Sequence, residues 1–188
     1  MDKDDLFRNG QRLFMEGKHR ESIDYFTRSI DAGGNTDIAY LSRGVAFLKL
    51  QQTDEAINDF SRVMELNDNN FRAHFYRGMA QMAKENFDDA IKDFDITIKL
   101  QPDNGAAYFA RGTAYAQIGN MEEAERNIKT AVTCSESAMQ GFADNHGMFR
   151  TQFERTMAFM TGERDAPQMY LNEKELGLIK KWLEDTNH

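Results

Sequence analysis

Residues 40–60 read YLSRGVAFLKLQQTDEAINDF: an amphipathic run of helical length, a short polar break, and the start of a second amphipathic run. Gly44, Ala56 and Phe60 in this stretch have counterparts 34 residues away on either side, Gly10, Ser22 and Phe26 before it and Gly78, Ala90 and Phe94 after it. A further 34 residues on stand Gly112, Ala124 and Ile128. A period of that length is the mark of stacked helix pairs, in which each pair buries part of its apolar stripe and the next pair buries the rest. The four segments are residues 3–36, 37–70, 71–104 and 105–138, and the expected fold class is all-α.

Two more columns follow the same register. Four residues before each glycine stand Leu6, Tyr40, His74 and Tyr108, and three after each stand Leu13, Phe47, Gln81 and Tyr115. A large residue, then Gly, then an aromatic, then Ala and Phe, closed by a turn that Pro102 marks once, resembles the tetratricopeptide repeat. The resemblance covers about three quarters of the chain, with His74, Gln81 and the absent prolines as departures. It implies a right-handed superhelical solenoid of antiparallel helix pairs, whose business is binding another protein or peptide.

Clusters of turn-forming residues punctuate the pattern. Asp31-Ala32-Gly33-Gly34-Asn35, Asn67-Asp68-Asn69-Asn70 and Gln101-Pro102-Asp103-Asn104-Gly105 separate repeats, while Glu16-Gly17, Gln51-Gln52 and Gly119-Asn120 separate the helices within one. Eight helices are expected over residues 3–138. Residues 139–188 lose the period, yet Met139, Phe142, Phe149, Phe153, Met157 and Met160 recur at near-helical spacing and predict a capping helix. Residues 161–167 read as a linker. Asn172 and Glu175 then start a terminal amphipathic helix with Leu176, Ile179, Trp182 and Leu183 on one face. That helix is expected to cap the stack, or to dock in a groove of its own or another copy.

The glycine column needs a physical cause, and close crossing of the two helices of a pair supplies one. A side chain there would hold the backbones apart, and the small residues Ala56, Ala90 and Ala124 are expected to serve the same contact from the second helix. Arg43, Arg77 and Arg111 each precede a repeat glycine, and Asp59 and Asp93 follow sixteen residues after the first two. Each Arg is expected to pair with an acid on the second helix of its own or the adjacent repeat, as an interhelical ladder. Asn9 and Asn127 break that pattern in the first and fourth repeats.

On the first helix of each pair, the residues three before, one after and four after the glycine share a face. By the resemblance, that face lines the concave surface. It reads Phe7, Gln11 and Phe14; Leu41, Val45 and Leu48; Phe75, Met79 and Met82; Phe109, Thr113 and Ala116. An apolar wall of this kind suits an amphipathic helix or an extended hydrophobic segment, and the methionines suit varied partners. Relatives that grip acidic C-termini clamp two carboxylates with Lys, Asn and Arg. The matching positions here are Phe7, Gln11, Ser42, Arg72 and Tyr76, with only Arg72 basic, so no such clamp is expected.

Composition narrows the remaining classes. A formal charge of −8 argues against nucleic acid or an anionic membrane as the main partner, and no apolar run reaches membrane-spanning length. The N-terminus has no apolar signal region, and the single cysteine, Cys134, permits no internal disulfide, so a cytoplasmic location is the default expectation. His19, His74, His146 and His188 form no ligand pairs, no phosphate-cradling loop occurs, and no nucleophile elbow or calcium loop is present. Neither catalysis nor a metal or cofactor is expected. Two alternatives to an adaptor stay open: a holder of hydrophobic segments like the tetratricopeptide chaperones of type III secretion, and an oligomerisation module whose C-terminal helix fills the groove of another copy.

Overall fold

The protein is described by a computed structural model, which defines residues 2–34 and 36–134. The expected capping helix, linker and terminal helix, residues 139–188, lie outside the described residues. Two compact units divide the chain, Met1–Gln101 and Pro102–His188. The first holds α1 (Lys3–Met15), α2 (His19–Asp31), α3 (Thr36–Lys49), α4 (Thr53–Leu66), α5 (Phe71–Ala83) and α6 (Phe87–Leu100). In the second, α7 (Gly105–Gln117) and α8 (Met121–Cys134) are described. All regular structure among the described residues is helical.

Within the first unit, α1 packs on α2, α3 on α4 and α5 on α6, while α2 also packs on α3 and α4 on α5. The first helices of successive pairs touch as well, α1 with α3 and α3 with α5. In the second unit α7 packs on α8. Each pair is thus the helix hairpin that the repeat encodes.

The glycine column faces the aromatic column of the same pair. A methyl group on Gly10 would stand 2.7 Å from Phe26 Cδ1, on Gly44 2.6 Å from Phe60 Cε1, and on Gly78 2.7 Å from Phe94 Cε1. On Gly112 it would meet Ile128 Cγ1 at 3.0 Å and the Ala124 carbonyl oxygen at 3.1 Å. In the first three pairs, therefore, a ring rather than a small residue on the second helix fills the space beside the glycine. Phe26, Phe60 and Phe94 are buried to 1% exposure or less, so none can swing into solvent to make room. Gly78→Val is expected to overpack this contact and cost about 1–3 kcal/mol, after a gain of a few tenths from helix propensity. A lowered urea midpoint would show it; an unchanged midpoint would mean that the Phe94 ring yields freely.

The turns inside the pairs repeat as strictly as the core. Gly17, Gln51, Glu85 and Gly119 all adopt left-handed backbone, with φ of 76°, 60°, 62° and 82°, and they stand at the same place in the four repeats. Glycine takes that conformation without steric cost, whereas Gln51 and Glu85 each sacrifice on the order of 1 kcal/mol to hold the same turn. Asparagine side chains cap helix entry at α5, α7 and α8: Asn70 accepts from the Ala73 amide at 3.2 Å, Asn104 from the Ala107 amide at 3.0 Å and Asn120 from the Glu123 amide at 3.3 Å.

Candidate functional site

The arginine column forms bidentate ion pairs in the two central repeats. Arg43 donates through Nε to Asp59 Oδ2 at 2.8 Å and through Nη2 to Oδ1 at 2.7 Å. Arg77 does the same to Asp93, at 2.8 and 2.7 Å. Both acids come from the second helix of the same repeat, which decides between the two partners left open by the spacing. Sequence reasoning missed the third donor: Nη1 of Arg43 reaches Thr27 Oγ1 at 3.0 Å, and Nη1 of Arg77 reaches Ser61 Oγ at 3.3 Å, each on the preceding repeat. In the fourth repeat Arg111 Nε donates to Asn127 Oδ1 at 2.8 Å; in the first, Asn9 Nδ2 donates to the Asp5 carbonyl at 2.8 Å. Burial pushes the Asp59 carboxyl up, while Arg43 pulls it back down. His74, in the large-residue column, is buried with Nε2 3.1 Å from the Asp68 carbonyl oxygen and Nδ1 3.4 Å from Asp93 Oδ1.

The residues chosen for the groove separate into two sets. Gln11, Phe14, Leu41, Val45 and Arg72 line one cavity of 430 Å³ in the first unit, together with Met15, Phe26, Ser42 and Tyr76. Phe14, Leu41 and Val45 are half-buried, Gln11 and Arg72 exposed. Met15 stands on the rim at 87% exposure, where an apolar side chain gains nothing from water. Phe7 is half-buried with its ring centroid 5.6 Å from that of Phe26, and Leu48 is half-buried away from the cavity lining. Phe75 is half-buried with its ring 5.5 Å from Tyr76 and 6.0 Å from Phe94.

Met79, Met82, Phe109, Thr113 and Ala116 are buried, at 5% exposure or less. This corrects the expectation that they present a surface to a guest. The reason lies in how the helices are enclosed. On α1 the buried residues Leu6, Gly10 and Leu13 make a single stripe, but on α5 Ala73, His74, Gly78, Met79, Ala80 and Met82 run most of the way round. A rule that assigns one buried face per helix therefore holds for α1 and fails for α5. On α7 the Thr113 hydroxyl is satisfied internally, donating to the Phe109 carbonyl at 3.0 Å.

The cavity draws its walls from α1, α2, α3 and α5, so three consecutive repeats contribute to one site. Tyr76 is fixed there by stacking on Phe60, with centroids 5.8 Å apart and planes inclined by 22°, and burial raises its phenol above the usual range. Among the described residues, no group of three or more His, Cys, Asp or Glu is placed to share a metal ion, and no helix is long and apolar enough to cross a membrane.

Paired helices repeated in register, with an open groove across neighbouring pairs, define a helical-repeat interaction scaffold. The tetratricopeptide repeat profile matches residues 7–69, 41–85 and 75–138, and the chain belongs to that family. Among solved structures, MamA MSR-1 is similar at 27% identity and a TM-score of 0.65, over 73% of this chain and 79% of that one. MamA AMB-1 is similar at 27% identity and a TM-score of 0.64, over 72% and 79%. YrrB, described as a TPR protein with an unusual peptide-binding site, shares the fold at 24% identity and a TM-score of 0.66, over 74% and 72%. A search of curated proteins finds no match.

Proposed function

We propose that the chain is a non-catalytic adaptor that holds a hydrophobic or amphipathic segment of another protein in the groove of its first unit. One observation carries the reading: Phe14, Met15, Leu41 and Val45 converge on a 430 Å³ cavity that is open to solvent. A volume of that size takes one or two large side chains rather than a whole helix, so the guest anchors by a few residues and lies across the rest. A peptide-binding site is described for YrrB. The reading extends that class of partner to this chain on the strength of its own groove.

Phe7, beside Phe26, and Phe75, beside Tyr76, flank the cavity as secondary contacts in this reading, and Val45 is the central position. Val45→Glu places a carboxylate on the apolar wall and is expected to weaken capture of an amphipathic peptide by roughly 30-fold or more, the size of a hot-spot loss. Circular dichroism should stay at the parent level, because Val45 is only half-buried. Titration of a labelled peptide by fluorescence anisotropy reads the outcome. Equal affinity in parent and variant would remove the groove from the binding surface.

A further inference from the structure

A second cavity, of 530 Å³, opens on the other side of α3 from the groove. Arg20 and Ile23 of α2 line it, with Phe47 of α3 and with Leu50 and Gln52 of the turn that follows. It shares no lining residue with the groove: Val45 belongs to one and Phe47 to the other, and two residues apart on a helix is about 200° round its axis. Ile23, Phe47 and Leu50 are half-buried, while Arg20 and Gln52 are exposed. Among the described residues neither of these two polar side chains has a hydrogen bond or an ion pair, and no carboxylate lines the cavity.

The next junction shows what this place otherwise holds. A period of 34 residues turns Arg20, Phe47, Leu50 and Gln52 into Asp54, Gln81, Lys84 and Asn86. There Lys84 Nζ reaches back to Asp54 Oδ1 on the preceding repeat, and Asn86 Nδ2 donates to Gln81 Oε1 at 2.9 Å. Between the first and second repeats both ties are missing. A cation stands where the acid would be, and an alkyl chain stands where its lysine would be.

From this contrast we propose that the notch between the first two repeats is a separate docking surface, for an internal segment of another protein that carries an acidic side chain beside a large apolar one. The guest's carboxylate supplies Arg20 with the counter-charge that Lys84 supplies to Asp54 one repeat later, and Gln52 offers it a further N–H. Its apolar side chain covers Ile23, Phe47 and Leu50, and a cavity of this size takes one or two such groups. A lysine in the acid's place would meet the guanidinium as a like charge. A wholly apolar guest would cover the guanidinium and leave it unpaired. The proposal does not depend on the groove, and a chain with both surfaces could hold two segments at once.

The test uses the full chain and three short labelled peptides, capped at both ends so that no terminal carboxylate is present. They share one Leu-Phe pair in a Gly-Ser background and differ only in the residue beside it, which is Glu, Gln or Lys. Parent protein is expected to bind the Glu peptide about tenfold more tightly than the Gln peptide, with Lys weakest and the Glu advantage shrinking at high salt. Arg20→Gln, at an exposed position, should bring the Glu and Gln peptides to equal affinity. Arg20→Asp combined with Leu50→Lys copies the pair that closes the next junction. It should lose the Glu peptide while keeping the parent's circular dichroism and its capture of an amphipathic groove peptide; if it does not fold, Arg20→Gln decides alone. Val45→Glu should leave the Glu preference intact. No binding of the three peptides, no Glu preference in the parent, or a preference that survives Arg20→Gln would overturn the proposal. So would a preference lost in Val45→Glu, since the peptide would then sit in the groove, or light scattering that shows a dimer which the double variant separates, since the occupant would then be a second copy. The groove reading is decided by its own peptide and stands or falls apart from these results.

Discussion

Truncating Phe60 to alanine is expected to cost about 3–5 kcal/mol, the range for removing a fully buried aromatic ring. The ring has two neighbours to lose: Gly44 of its own pair, whose open face it fills, and Tyr76 of the next repeat, on which it stacks. The more telling experiment is the cycle with Gly44→Ala. In the parent, the added methyl would stand 2.6 Å from Phe60 Cε1, and overpacking outweighs the gain of about 1 kcal/mol that alanine brings to a helix interior. In the Phe60→Ala background the methyl enters vacated space, and Gly44→Ala should become neutral or stabilising. Urea denaturation of the four proteins measures that coupling. An equal cost for Gly44→Ala in both backgrounds would mean that the glycine is required for some reason other than the ring.

Removing Arg43 is expected to destabilise by about 3 kcal/mol at neutral pH, because Asp59 then stays buried, at 5% exposure, without its counter-charge. The pH dependence follows from the direction of the Asp59 shift. Burial already raises the folded-state value above the unfolded one, and loss of Arg43 raises it further. For an acid raised in this way, the native state bears the cost of ionisation at high pH and is relieved as pH falls through the folded-state value. The penalty of Arg43→Ala should therefore be largest near pH 7 and shrink as Asp59 takes up a proton. A residue of the loss persists in acid, from the bond to Thr27 and the contacts of the guanidinium with the Tyr40 and Phe47 rings at 5.3 and 5.8 Å. Adding Asp59→Asn should recover much of the neutral-pH loss. A penalty that does not vary with pH would show that Asp59 is not left charged.

Most of the helix pairing was legible because a 34-residue period constrains many side chains at once. Gly, Ala and Phe recur where helices cross, and no other arrangement needs the three at those offsets. The sixteen-residue spacing likewise marked the Arg–Asp pairs, although only coordinates assign the acid to the same repeat and the hydroxyl to the preceding one. Burial of the groove face was not legible. Val45 and Met79 hold the same register position, yet Val45 is half-buried and Met79 fully buried, because spacing along a helix gives a direction and not what stands there. The left-handed turn at Glu85 escaped notice for a local reason. Lys84-Glu85-Asn86 carries no glycine and continues a run of helix-forming residues, and the backbone angle of Glu85 is what shows it to repeat the turns at Gly17, Gln51 and Gly119.

The reach of the arginine column is symmetrical: carboxylate sixteen residues ahead, hydroxyl sixteen residues behind, for Arg43 and Arg77 alike. Each such module therefore brings its own fastener to the neighbour before it and offers a matching eyelet to the neighbour after it. A second copy of the module that carries Arg43 and Ser61 would meet the first with both halves of that fastening, whereas a copy of the first module, with Asn9 in the arginine's place, would not. An array lengthened by copies of the Arg43 module would grow without a new joint.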